Sequence, residues 1–294
     1  MPKNPITVTG KGKIKLRDYS PKSKGPFKSE KEAQAVLDKA VKEIGDLQEL
    51  LYASRTHGVL MIFQGMDTAG KSSSIKCLMS EVNAHGCDVY GFKAPSSEEL
   101  DHDFLWRCSK VLPRRGHIGV FDRSYYEEVV VVRVHPEFLD KQRIPKRARP
   151  KDIWKSRFED IRSFERYLHR EGFVVIKFFL NLSKGVQKKR LQKRLRKPEK
   201  NWKYSENDIA ERKYWPQYLK TNEDAINHTS TPDAPWHILP SDNKLFAQAM
   251  AAQIIVKKLR ALKLKLPVMD KKEHAKNMRR FRKMLRQEKN GKKK

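Results

Sequence analysis

Gly65-Met66-Asp67-Thr68-Ala69-Gly70-Lys71-Ser72 is the stretch that decides the fold. It follows the apolar run Val59 to Phe63 and leads into a segment of helical character. A glycine-bounded loop ending in lysine therefore stands where a strand hands over to a helix. Two glycines let backbone N–H groups turn inward around an anion, the next helix adds its positive end, and Lys71 can reach the terminal phosphates. An isolated string of this kind is often an ordinary turn, but the strand before it and the helix after it make it a phosphate loop. Gly65, Ala69, Gly70, Ser72 and Ser73 are then the expected phosphate contacts of the loop and its helix start.

Downstream, Ile118-Gly119-Val120-Phe121-Asp122-Arg123 is an apolar strand that ends in a carboxylate and a guanidinium. Asp122 alone could be a helix cap for the run from Ser124. With a phosphate loop upstream, it reads as the acid of a Walker B strand.

Composition narrows the partner. The chain has 294 residues, 38% of them hydrophobic, enough for one large core or a core with a subdomain. Lys+Arg number 64 against 35 Asp+Glu, a formal net charge of +29. That excess is beyond what solubility needs and points to a polyanion. Nucleic acid is the usual candidate; linear inorganic polyphosphate is another, and it needs only charge. Cys77, Cys87 and Cys108 show no paired metal spacing and read as small hydrophobes in a reduced, cytoplasmic compartment. No apolar run reaches the roughly twenty residues of a membrane span, and no signal-peptide pattern is seen.

Along the chain, residues 1–29 read as a basic arm broken by Pro and Gly and ordered only where it docks. Glu30 to Ala53 has helical spacing of its apolar residues. Asp88 to Phe92 reads as a second strand, Glu98 to Leu112 as one helix, and Phe173 to Leu180 as a central parallel strand covered on both faces. Trp236 to Leu239 is a last strand and Leu245 to Leu262 a closing helix. Alternation of this kind predicts an α/β, doubly wound parallel sheet flanked by helices, with ligand at the carboxyl ends of the strands.

Residues 183–228 depart from that rhythm with long charged helices, Gln187 to Arg196 and Asn207 to Ala225, the pattern of a helical lid. Arg190 and Arg194 are four apart on one face, where both could close over a phosphate bridge and neutralise developing charge. Arg212 is a third such cation. A charge run on a helix is ordinarily a solvated face, and that reading stands beside this one. Trp202, Tyr204, Tyr214 and Trp215 read as lid packing.

Taken together, the phosphate loop with its internal Asp67, Phe-Asp-Arg-Ser-Tyr-Tyr-Glu-Glu at 121 to 128, Val-Arg-Val-His-Pro at 132 to 136, Asp103-Phe104-Leu105-Trp106-Arg107 and Lys200-Asn201-Trp202-Lys203-Tyr204 resemble the polyphosphate kinase 2 family, over about Leu47 to Leu266. The resemblance implies a P-loop kinase fold with a helical lid and reversible transfer of a terminal phosphoryl group from inorganic polyphosphate to a nucleotide, with Mg²⁺ or alternatively Mn²⁺. Tyr-Tyr-Glu-Glu and Arg-Val-His-Pro are similar to the branch accepting both nucleoside mono- and diphosphates (AMP/ADP, GMP/GDP). Lys93, Pro95 and Glu127 are then expected on the acceptor-nucleotide side. A homo-oligomer, dimer or tetramer, is expected, and no specific nucleic-acid partner. Two features depart from the family: Ser72-Ser73 after the lysine, where Asp-Gly or Gly-Gly is common, and an Asp at 122 where some relatives carry Asn.

The chemistry can also be argued from the residues. The terminal phosphate of a nucleotide has a second pKa of about 6, so the attacking oxygen is already ionised at neutral pH and no strong base is required. The difficulty is bringing two polyanions together, which calls for metal, cationic clamps and in-line positioning. A carboxylate inside a phosphate cradle, Asp67, makes sense only beside a metal or a positive group. Asp67 and Asp122 are expected to organise Mg²⁺; Lys71, Arg123 and Arg133 to hold the transferring and neighbouring phosphates; Arg190 and Arg194 to close over them. Residues 267–294 form a basic tail in which Ala275, Met278, Phe281 and Leu285 share a face, suited to a subunit, an anionic surface or, with Lys141 to Lys151, a track for long polyphosphate. An ATP-dependent nucleotide kinase of the thymidylate type and a nucleic-acid-stimulated P-loop NTPase are the competing classes.

Overall fold

A computed structural model describes residues 6–145 and 147–291. The first five residues of the arm, Lys146 of the basic run Lys141 to Lys151, and the last three lysines of the tail lie outside the described residues. The chain forms two compact units, one ending at Leu264 and the other from Lys265 onward.

In the first unit the order is β1 (Thr7–Val8), α1 (Glu30–Ser54), β2 (Gly58–Gly65), α2 (Lys71–Leu78), β3 (Cys87–Gly91), α3 (Ser97–Asp101), α4 (Trp106–Ser109), β4 (Ile118–Asp122), α5 (Glu127–Val134), α6 (Glu137–Asp140), α7 (Ile153–Arg170) and β5 (Phe173–Asn181). Then follow α8 (Lys184–Arg196), α9 (Pro198–Asn201), α10 (Glu206–Ala210), α11 (Trp215–Thr229), β6 (Trp236–Pro240) and α12 (Lys244–Ala261). One sheet has the strand order β1-β6-β5-β2-β4-β3, with β2 to β6 parallel. The central strand β2 is buried on both faces, as its unbroken apolar run requires. Val59, Met61 and Phe63 pack with α1, α2 and α12, and Leu60 and Ile62 with α5, α7 and α11. This alternation is the period-two signature of a strand between two helical layers. β2 and β4 end side by side, with Phe63 opposite Asp122, which brings the two motifs to the carboxyl edge.

Three elements differ from the sequence reading. The arm supplies β1, an antiparallel edge with Thr7 opposite His237, and it buries Leu16 and Phe27 in the two cores. The helix expected over Glu98 to Leu112 is two short helices. Asp103 Oδ1 accepts Leu105 N at 2.9 Å, a local bond that competes with helix continuation. The helix expected from Asn207 to Ala225 is broken into α10, a 3₁₀ turn and α11, which restarts with Pro216 in its first turn, where a missing N–H costs nothing. Of the cysteines only Cys108 is buried, and burial pushes its thiol up to about 12. No helix among the described residues is long and apolar enough to cross a membrane.

On the second face of β5, Lys177 stands between Val175 and Phe179, fully buried. It is neutralised by Glu165 of α7 at 2.6 Å and donates to Tyr126 Oη and Thr229 O, both at 2.9 Å. The tyrosines following Arg123 are thereby anchored: Tyr125 and Tyr126 donate to Glu165 at 2.9 and 2.8 Å. The second unit is α13 (Lys271–Gly291), started by Asp270, whose carboxylate accepts Lys272 N and Glu273 N; Met278, Phe281 and Leu285 are exposed.

His237 on β6 is buried, with Nδ1 2.9 Å from Thr7 Oγ1. Burial, aided by Lys258, Lys177 and Lys257, lowers its imidazole from 6.5 to about 3. Below pH 6.5 the unfolded chain takes up a proton that the folded chain refuses, so stability falls as pH drops, by about 2 kcal/mol on reaching roughly pH 5. Urea unfolding at neutral pH and near pH 5 should show this loss, and His237→Gln should flatten that part of the profile.

Candidate active site

The phosphate loop leaves β2 at Gly65, whose φ of +147° and 2.8 Å approach of a hypothetical Cβ to Leu180 O admit no side chain. Gly70, φ +110°, caps α2. Between them Thr68 adopts φ +63°, an uncommon conformation for a β-branched residue. Lys71 is buried and its ammonium closes the loop on itself, donating to Gly65 O at 2.9 Å and Met66 O at 3.5 Å. Burial lowers its pKa and Arg123 adds to that, against the opposing pull of Asp67, Asp122 and Glu127.

Four of the expected residues converge on this loop. Arg123, at φ +70° past the end of β4, donates through Nη2 to Asp67 Oδ1 at 2.5 Å. Burial would raise the Asp67 carboxyl, but Lys71, Arg123 and Arg194 together outweigh it and hold the group below the usual range. Asp67 is thus ionised at neutral pH. Ser72 Oγ donates to Asp122 Oδ2 at 2.6 Å, joining the first turn of α2 to the end of β4. Ser73 instead bonds back to Gly70 O at 2.9 Å. Glu127, half-buried at the start of α5, has its carboxyl raised by burial, which Arg123 and Lys71 only partly offset.

In front of the loop opens a cleft of about 470 Å³ lined by Asp67, Arg123 and Glu127 from the sheet edge and by Lys93 and Pro95 from the loop after β3. Asp208, Glu211 and Arg212 line it from the lid. Lys93 is placed by buried Arg107, whose Nη1 donates to Lys93 O at 2.9 Å and whose charge faces Glu128 at 3.5 Å. Across the cleft, His135 Nε2 and Tyr218 Oη meet Glu211 at 2.9 and 2.6 Å, fastening α5 and α11 to the lid turn.

Of the remaining cations expected at the phosphates, only Arg212 lines the cleft. Arg133 does not line the cleft: its guanidinium pairs with Asp224 of α11 at 3.0 Å and lies over the Trp154 and Phe158 rings. The expectation that it holds phosphate is therefore replaced by a bond between helices. Arg190 does not reach over the loop but holds two of its carbonyls, Thr68 O and Ala69 O, with its other nitrogen on Ser241 O and Asp242 O beyond β6. Arg194 pairs with Asp208 at 2.6 Å, near enough to Asp67 for its charge to act there. Arg212 donates to Gln187 Oε1 at 2.6 Å. Of the lid aromatics, Trp215 is buried, while Trp202 is 78% exposed and does not pack. Gln187, Asp208 and Glu211 were not singled out from sequence; Gln187 carried one signal, its place three residues before Arg190 on the same helical face.

Among the described residues no cluster of three or more His, Cys, Asp or Glu could hold a metal ion by itself. Mg²⁺ commonly uses only one or two carboxylates and completes its shell with water and substrate phosphates. Asp122 with Ser72 at its side fits that requirement, while Asp67 is engaged with Arg123.

Known proteins match this arrangement. The family model described as polyphosphate kinase 2 matches residues 27–267, starting ahead of Leu47. The chain is 44% identical over 256 residues to an ADP-polyphosphate phosphotransferase of Rhodopseudomonas palustris, covering 87% of this chain and 89% of that one. It is 38% identical over 260 residues to an AMP/ADP-polyphosphate phosphotransferase of Meiothermus ruber, covering 87% and 92%. The crystal structure of polyphosphate kinase 2 from Arthrobacter aurescens superposes with a TM-score of 0.82 at 36% identity, over 90% of each chain.

Arg133→Met should lower stability by about 1–3 kcal/mol, the cost of stranding a partly buried Asp224, and change KM for phosphate substrates less than about twofold. Asp67→Asn should leave the fold intact and lower the transfer rate by about 10²-fold or more. Denaturant unfolding and steady-state kinetics on the two variants check both.

Proposed function

This chain belongs to the polyphosphate kinase 2 family, and we propose that it transfers the terminal phosphoryl group of inorganic polyphosphate to nucleoside mono- or diphosphates, and in the reverse direction. The observation that carries the reading is the meeting of a phosphate loop holding an acid, Asp67, with the Asp122-Arg123 strand end, at one mouth of a cleft with a cationic lid. The relatives named as ADP- and AMP/ADP-polyphosphate phosphotransferases support it, and an ATP-dependent nucleotide kinase is not favoured.

The residues act by position and charge. The acceptor phosphate is ionised at neutral pH, so its oxygen needs no base. Lys71 lies across the loop with its ammonium on Gly65 O, and would turn from that carbonyl to a phosphate seated on the loop amides. Arg123 presents a guanidinium with both a carboxylate partner and a face to the cleft, suited to bidentate phosphate binding. Lys93, whose carbonyl Arg107 holds, and Pro95 form the acceptor side, and Glu127 lines the same cleft. Closure of the lid brings Arg194 and Arg212 toward the same space and excludes water, so that the phosphoryl group passes to the nucleotide. Asp122 and Ser72 would hold Mg²⁺, with Asp67 the second carboxylate of the site, and the ion would supply charge neutralisation to the phosphates.

Purified protein with Mg²⁺ and long-chain polyphosphate, offered AMP, ADP, GMP and GDP separately, should form the corresponding di- or triphosphates. Asp67→Asn should lower the yield by about 10²-fold or more. Transfer from ATP with none from polyphosphate would overturn the reading in favour of an ordinary nucleotide kinase.

A further inference from the structure

A peptide plane is rigid and trans, so the carbonyl of one residue and the N–H of the next point in opposite directions. In a phosphate loop, whatever holds a carbonyl outward therefore holds the following N–H toward the anion. Three successive carbonyls of this loop are held by one face of α8, whose Gln187 also lines the cleft with both ends of its amide engaged, on Asp67 O and Arg212. Gln187 Nε2 donates to Asp67 O at 3.2 Å, and Arg190 Nη1 donates to Thr68 O and Ala69 O, both at 2.9 Å. The two side chains are three residues apart on a helix and so share a face. The other half of the guanidinium is fixed too: Nη2 donates to Ser241 O at 2.6 Å and Asp242 O at 3.1 Å, beyond β6. Asp242 in turn accepts Ser183 N, at the start of α8, at 2.8 Å. Helix root, loop and strand exit form one closed ring of hydrogen bonds.

The conformation held by this ring does not hold itself. Thr68 at φ +63° is a strained β-branched residue, and its hydroxyl is buried without a partner. Such a residue persists only where its surroundings over-determine it. The amides show what the strain achieves. Ala69 N–H is used inside the loop, on Met66 O at 3.0 Å. The N–H groups of Thr68 and Gly70 belong to the peptides whose carbonyls Gln187 and Arg190 hold, and they aim away from α8, where a phosphate would sit.

We propose that Gln187 and Arg190 are positioning residues that set the anion-binding face of the phosphate loop, acting through its carbonyls and not by touching phosphate. The proposal rests on the phosphoryl-transfer reading above and gives the lid a second task. Arg212 of the lid turn donates to Gln187 Oε1 and Lys184 O, so one amide joins the lid to the loop. Gln187 is the informative member because it is neutral. A direct electrostatic role on phosphate can be claimed for Arg190 but not for an amide that faces a carbonyl.

The test compares Gln187→Leu and Arg190→Lys with the parent protein by two readouts: steady-state kinetics with polyphosphate and ADP, and, in the ligand-free protein, amide hydrogen exchange at Ala69, whose N–H is bonded inside the loop to Met66 O. Both variants should lower kcat by about tenfold or more, as small misplacements of a binding group do, with a smaller change in KM. Both should speed exchange at Ala69, with thermal unfolding little changed. Wild-type kcat and unchanged exchange in Gln187→Leu would overturn the proposal, and so would an Arg190→Lys that keeps full kcat, because retained charge would then suffice. If Arg190→Lys fails to fold, Gln187→Leu decides alone. The exchange readout needs no donor, so failure of the polyphosphate reading leaves it standing and is recognised separately.

Discussion

A phosphate loop binds an anion only while its N–H groups face inward, and the orientation of peptide planes is the constraint on which this site depends. The loop cannot meet it by glycine alone. Gly65 and Gly70 permit the turns at either end, but the tip is Thr68, a residue that resists the left-handed region. The geometry is imposed by what lies behind, where Gln187 and Arg190 take up the carbonyls. Arginine suits this place because its planar fork satisfies four acceptors from a single position, which an ammonium would do poorly. Its charge is partly desolvated there, which lowers its pKa, and Asp242 compensates.

The same economy of opposite charge runs through the body of the protein. Lys177 is matched by Glu165, Arg107 and Arg157 by Glu128, Arg123 by Asp67, Arg133 by Asp224. Most cations inside the fold are paired with a carboxylate, while buried Lys71 is held by the carbonyls of Gly65 and Met66. The surplus that makes the chain +29 therefore lies mostly on exposed positions, including the exposed helix α13 and much of α8. Surface charge of that kind draws in a polyanion over a Debye length without fixing its register. Register is left to the few groups at the cleft, which explains how a protein can be generally basic and still have a defined phosphate site.

Strands β2, β4, β5 and β6 and the loop between β2 and α2 were legible in the sequence because each is signalled locally, by an apolar run or by glycine spacing. What was not legible is direction. β1 is two residues long, too short for any period, and is a strand only because β6 offers an open edge. Arg133 follows Asp122-Arg123 closely enough to look like part of the same site, yet helix α5 turns it toward Asp224 while Val130 and Val131 line the cleft. Arg190 and Arg194 share a face as the spacing says, but whether that face looks over the loop or against its back depends on where Ser183 releases the helix. Local sequence carries periodicity; it does not carry the phase of one helix relative to another.

That difference changes how the lid must be understood. A lid whose arginines merely hover over a cleft can open fully and leave the phosphate loop as it was. A lid whose root helix holds the loop's carbonyls cannot, because Gln187 and Arg190 belong to the first two turns of α8 and must stay when the rest swings. On the proposal above, any lid motion would be confined to the stretch beyond Arg190, where α9, α10 and the 3₁₀ turn are short and Arg194 and Asp208 pair across them. Motion there would move Arg194 relative to Asp67 and Arg212 relative to Gln187. Closing can thus add cations to the cleft and adjust the cradle in one step, without ever releasing the strained loop on which binding depends.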